Sequence, residues 1–160
     1  YEVLIDAFKQ HDYGEYQLVI GGDVNNAYGK TVVERAAGCK NIIFPGIVCG
    51  DTKSALLKNC MAYCLVSSSE GLPIALLEGM SYGKIPVVTR IPSIMEVLEK
   101  YKIGLWSEVK NVGQLAANMQ TVENDYENLK EQGEKARKIV EKNYTWPQIC
   151  DQYLNLVKEF

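Results

Sequence analysis

Glu70 and Glu78 are the side chains in this sequence best placed to do chemistry. Between them runs Gly-Leu-Pro-Ile-Ala-Leu-Leu, and before them an apolar stretch ends in Ser67-Ser-Ser. A helical pattern opens near Pro73. The first N–H groups of a helix have no internal partner, and the helix dipole places its positive end there. Such a junction is an anion site, and a diphosphate fits it. Glu70 lies in the loop at its mouth. Glu78 lies inside an otherwise apolar helix, where a carboxylate needs a partner. Carboxylates accept well from sugar hydroxyls, and two such oxygens suit a vicinal diol such as ribose. The plainer alternative is that Glu70 helps cap the helix and Glu78 makes a salt bridge. Residue chemistry alone leaves both open.

Other constellations are weaker. Gly21-Gly22-Asp23 closes an apolar run and either admits a ligand to the backbone or forms a tight turn. Gly29-Lys30-Thr31 has the ending of a phosphate loop, but the first glycine of that motif would have to stand at Val24. There is no GxGxxG, and no DxD to clamp a metal-bound nucleotide sugar. The single histidine, His11, would have to serve any Ser-His-Asp or Cys-His system. It reads instead as an exposed helix-end residue. The five cysteines are odd in number and form no CxxC, so they read as buried reduced thiols. No metal site is expected.

The elements that must position these residues follow from the pattern. The chain has 160 residues, 47% hydrophobic and 23% charged, enough to bury a core and too apolar to be disordered. The balance of 17 basic against 20 acidic residues lacks the surplus of a nucleic-acid binder. The longest apolar run, 60–66, is far too short to span a bilayer. The opening Tyr-Glu-Val-Leu-Ile-Asp is no signal peptide, and with no initiator Met the chain is expected to be a piece of a longer protein. Buried-strand runs at 16–21, 41–44, 62–67 and 85–89, with a short one at 104–106, alternate with helical patterns. This predicts an α/β fold, a parallel sheet with helices on both faces. A cap at Asp51 or Thr52, Pro73 with Gly83, and Asn111 mark helix ends. Capping boxes are read at Ser93–Glu96 and Thr145–Gln148. The charged stretch 123–142 reads as a solvated helix face. A final helix over about 147–159 should pack back through Ile149, Tyr153 and Val157.

The segment from Glu70 to Glu78, continued by Gly-Met-Ser-Tyr-Gly-Lys-Ile-Pro-Val-Val, closely resembles the E-x7-E signature of family 4 (group 1) glycosyltransferases. The resemblance spans nearly the whole chain. Leu4-Ile-Asp-Ala-Phe8 is similar to the family's first helix, and Leu18-Val-Ile-Gly-Gly-Asp23 to its second strand and glycine turn. Asn41-Ile-Ile-Phe-Pro-Gly-Ile-Val48, Ile91-Pro-Ser-Ile-Met-Glu-Val97 and Tyr144-Thr-Trp146 resemble later motifs, in the right order. The resemblance implies a Rossmann-like domain, 1–160, forming the C-terminal, donor-binding half of a GT-B enzyme. Retaining transfer of sugar from a UDP- or GDP-sugar to a glycan or lipid acceptor is implied, without a metal cofactor. Glu70 would contact the donor sugar as the catalytic carboxylate, and Glu78 would accept from ribose hydroxyls. Backbone N–H groups of Gly71, Leu72, Ile74 and Ala75 would face the sugar and diphosphate. Ile47 and Val48 would lie by the base, Lys53 near the nucleotide, and Gly22 in the glycine turn.

Departures from the family pattern accompany it. The family's Arg…Lys pair ahead of its first helix, and the strand before it, should have ended where Tyr1 begins. Pro73 stands where Gly is frequent and has no N–H to offer. The acceptor-binding domain is expected to lie outside this piece, so the chain alone should not turn over. The implied location is the cytoplasm, with peripheral contact to the inner membrane face falling to the missing domain. A missing first strand should leave a gap or a substitute pairing between 16–21 and 62–67. The competing functions are a sugar-nucleotide epimerase of similar fold and a non-catalytic nucleotide-binding module.

Overall fold

The computed structural model describes residues 1–158, in which five strands alternate with helices before the chain ends in three helices. The order is α1 (Glu2–Phe8), β1 (Leu18–Val19), α2 (Ala27–Arg35), β2 (Ile42–Ile43), α3 (Gly50–Asn59), β3 (Ala62–Leu65) and α4 (Ile74–Ser81). Then come β4 (Ile85–Thr89), α5 (Pro92–Leu98), a 3-10 turn (Glu99–Tyr101), β5 (Leu105–Ser107), α6 (Val112–Asn124), α7 (Tyr126–Asn143) and α8 (Trp146–Lys158). Every strand pair is parallel, as helix-linked strands must be.

The expected α/β architecture is therefore present, but the sheet is in two pieces. β1 pairs with β2, while β3, β4 and β5 form a second sheet in that order. β1 and β3 do not pair with each other. β1 and β2 share only the register Leu18–Ile42 and Val19–Ile43, so the run expected over 16–21 shortens to two residues. A strand with a neighbour on one side only has half the ladder to hold it straight.

β4 is the central element. All five of its residues are buried, and the expected 85–89 boundaries hold. Successive strand residues point to opposite faces. Val87 accordingly packs in one core with Leu4, Ile5 and Phe8 of α1 and Leu115 of α6. Val88 packs in the other with Leu76 and Met80 of α4, Ile94 and Leu98 of α5, and Ala136 of α7. Glycine allows a close approach here. A Cβ at Gly79 would stand 2.4 Å from the Tyr63 ring, so α4 lies directly on β3.

Several local expectations shift. α3 starts at Gly50 with Cys49 as its N-cap, ahead of the expected Asp51 or Thr52. α5 is entered at Ile91 with Pro92 in its first turn, so Ser93 is already helical and no side-chain cap forms. Pro73 stands just outside α4 rather than within it. Asn111 does cap α6, its side chain accepting from Gln114 N–H at 3.0 Å. Gln148 reaches back to the Thr145 N–H at 3.0 Å. His11 is exposed and pairs with Glu123 at 2.9 Å.

α8 is the clearest correction. It was expected to pack through Ile149, Tyr153 and Val157, yet it buries no residue, and Tyr153 and Val157 stand about 70% exposed. Residue 159 of that expectation lies outside the described residues. Among the described residues, no helix is long and apolar enough to cross a membrane.

Candidate functional site

Parallel pairing brings the carboxyl ends of β1 and β2 to one edge, and those of β3 and β4 likewise. Ligands of open α/β sheets bind outside those ends. The loops there hold the residues singled out from the sequence.

After β1, Gly22 N–H donates to Gly46 O at 2.8 Å, tying the glycine turn to the loop after β2. A Cβ at Gly21 would meet Val48 Cγ2 at 2.7 Å, so this approach requires glycine. Ile47 projects from the same loop, 76% exposed. Gly22 and Asp23, with Tyr1, Tyr28 and Phe44, line an open depression of about 200 Å³. Asn26 caps α2 beneath it, its Oδ1 accepting from Gly29 N–H at 2.8 Å.

After β3, the chain makes a tight inverse turn centred on Pro73, with φ −79° and ψ 68°. Ile74 N–H donates to Leu72 O at 2.8 Å across that turn. The Ile74 N–H, expected to face a ligand, is thus engaged within the protein. Those of Gly71, Leu72 and Ala75 have no protein acceptor among the described residues. Leu72 and Ile74 expose their side chains by more than half. Glu70 is half-buried and its Oε1 accepts from Ser67 Oγ at 2.5 Å.

Glu78 finds its partner in Lys53, Nζ to Oε1 at 2.5 Å, between the middle of α4 and the first turn of α3. The hydrogen bond from Lys53, and then its charge attraction, raise the lysine's pKa above the ordinary value. Both side chains keep about 40% of their surface in solvent. The salt bridge considered for Glu78 exists, then, and its partner is the lysine expected near the nucleotide. Residues 25 apart in sequence are brought together where α3, which precedes β3 in the chain, meets α4, which follows it.

Two participants were not singled out from the sequence. Thr89 closes β4 with its hydroxyl buried and bonded to Ser67. The signal available was a hydroxyl at the end of an otherwise apolar five-residue run. Arg90, the next residue, is half-exposed at the strand end and faces Glu108 at 3.6 Å and Glu99 at 4.0 Å.

The parallel α/β core with an acidic, glycine-bearing rim at the strand ends can be set beside known proteins of similar sequence and fold. Residues 1–139 match the family model for glycosyl transferases group 1, and the chain belongs to that family. An uncharacterized glycosyltransferase of Methanocaldococcus jannaschii is 29% identical over 117 residues, 73% of this chain and 30% of its own. An N,N'-diacetylbacillosaminyl-diphospho-undecaprenol alpha-1,3-N-acetylgalactosaminyltransferase of Campylobacter jejuni is 36% identical over 61 residues, 38% of this chain and 16% of its own. Among solved structures, sucrose-phosphate synthase from Thermosynechococcus elongatus superposes with a TM-score of 0.84 at 19% identity, over 99% of this chain and 41% of that one. The fold is that of GT-B glycosyltransferases. The chain spans less than half the length of each of these relatives.

Proposed function

We propose that this chain is the donor-binding part of a retaining glycosyltransferase, taking a UDP- or GDP-sugar and delivering the sugar to a glycan or lipid acceptor held by a second domain. One observation carries the reading: Glu70, the unpartnered N–H groups at the entry to α4, and the Lys53–Glu78 pair all belong to the segment that runs from α3 through β3 into α4. A diphosphate is received by the N–H groups of Gly71, Leu72 and Ala75 at the positive end of α4, with no metal needed. Glu78 accepts from the ribose hydroxyls, and Lys53 adds a cation beside the nucleotide. The base lies against Ile47 and Val48, past the turn containing Gly22. Glu70 positions the donor sugar.

In transfer with retention, charge builds on the departing nucleoside diphosphate as the anomeric carbon gains oxocarbenium character. Fixed N–H dipoles aimed at that charge lower the barrier. Glycosidases flank one bond with two carboxylates. Here Glu78 is tied to α3 instead, which favours a ribose role over hydrolysis. The split between β1 and β3 supports a further strand in the intact domain, and the length of the relatives supports a second domain.

The test is titration of the intact enzyme with UDP and GDP, followed by donor kinetics. Saturable binding of one nucleotide, weakened by Glu78→Ala, together with turnover lost in Glu70→Ala, is the expected result. Binding of neither nucleotide would overturn it.

A further inference from the structure

We propose that Thr89 is the positioning residue for Glu70: its hydroxyl latches the loop after β3 onto the end of β4 and thereby fixes the carboxylate. The inference rests on the reading of Glu70 above and goes beyond it.

Thr89 is 1% exposed and is the only polar side chain in β4. A buried hydroxyl must find partners. It finds them in one residue. Thr89 Oγ1 accepts from Ser67 N–H at 2.8 Å and donates to Ser67 O at 2.6 Å. Leu65 O lies further off, at 3.4 Å.

The backbone ladder between β3 and β4 has its last pair at Leu65–Val88. Beyond that pair, the threonine side chain takes over the hydrogen bonding that backbone groups would otherwise supply. Ser67 is therefore held at both its N–H and its carbonyl. Its hydroxyl, so fixed, donates to Glu70 Oε1 at 2.5 Å. Glu70 Oε2 has no protein partner among the described residues and is left for a ligand. Valine has the same shape as threonine but neither donates nor accepts, so it could fill the space and not the role.

The test uses the intact enzyme and the variants Thr89→Val, Thr89→Ser, Ser67→Ala, Glu70→Ala and the double variant Thr89→Val with Glu70→Ala. Thr89→Val is expected to lower kcat on the donor sugar by about tenfold or more, a larger effect than its effect on nucleotide affinity. Thr89→Ser should restore most of the turnover, and Ser67→Ala should resemble Thr89→Val. In the Glu70→Ala background Thr89→Val should cost less than about twofold further, because the group it positions is gone. Full additivity there, or equal damage from valine and serine, would overturn the proposal and make Thr89 a packing residue.

A second measurement is independent of turnover. Hydrogen exchange at the Ser67 amide should accelerate about tenfold or more in Thr89→Val and stay slow in Thr89→Ser. Unchanged protection in Thr89→Val would also overturn the latch. Glu70→Ala with undiminished turnover would defeat the role given to Glu70, while the exchange result would still decide the latch.

Discussion

Lys53 and Glu78 meet between α3 and α4 with Nζ 2.5 Å from Oε1, and a second contact nearby, Tyr82 Oη to Ser54 Oγ at 3.2 Å, ties the same two helices. The carboxylate is thus tethered between the two helices. In the intact enzyme, Glu78→Ala is expected to weaken nucleotide binding about 5- to 150-fold, the usual worth of a lost hydrogen-bonding partner. Glu78→Gln, which keeps an acceptor oxygen, should weaken it less. Isothermal titration measures both. Equal affinity in wild type and Glu78→Ala, with only the melting temperature changed, would reduce the pair to a helix clip.

Gly79 is expected to tolerate no side chain. A Cβ there would lie within 3 Å of three atoms of Tyr63, two of them ring carbons, and Tyr63 belongs to β3 itself. Overpacking of this kind costs about 1–3 kcal/mol. Gly79→Ala should lower the urea midpoint accordingly, and the second variant Tyr63→Leu should recover part of the loss by vacating the ring.

The cysteines should react unequally. Burial, with a smaller contribution from Cys60, pushes the Cys64 thiol up to about 12, whereas Cys49 and Cys150 are exposed. Only the thiolate is nucleophilic. Native protein treated with iodoacetamide at pH 8 should carry label on Cys49 and Cys150 first, with Cys64 at least about tenfold slower. Mass spectrometry of timed digests reads this directly.

Asp6 accepts both bonds of the Arg35 fork, at 2.7 and 2.5 Å. The hydrogen bonds from Arg35, and then its charge, hold the Asp6 carboxyl below its ordinary range. A depressed carboxylate contributes stability that is present above its unfolded pKa, about 3.9, and is lost as pH falls through the lower folded value. Asp6→Asn should therefore melt slightly below wild type at neutral pH, and the two melting curves should converge as pH falls through that lowered folded value.

What could be read from the sequence depended on distance along the chain. β4 was legible to the residue because five consecutive buried positions carry their own signal. The Asn111 cap was equally local. β1 was not, because its length depends on what lies beside it, and only β2 does. The apolar stripe of α8 shows that it has something to bury and not where. Ser93–Glu96 had the composition of a capping box, but Pro92 set the helix start two residues earlier, with Ile91 as the cap. At the site, Glu70 and Glu78 could be placed by motif. The latch from Thr89 to Ser67 joins residues 22 apart. The ion pair from Lys53 to Glu78 joins α3 to α4. Those depend on how the helices and strands cross, which no local pattern encodes.

The divided sheet bears on how the chain behaves in concentrated solution. Leu18 and Ile20 turn their N–H groups to β2, so the alternate residues Val19 and Gly21 turn theirs the other way, toward the side where no strand pairs. β3 likewise pairs on one side only. Open strand edges are templates for other extended chains, and proteins usually blunt them with charge, proline or cover. Neither Leu18–Val19 nor Ala62–Leu65 contains a charged residue or a proline. Handled by itself, the chain should become steadily more prone to self-association as its concentration rises, through the same backbone edges that divide its sheet.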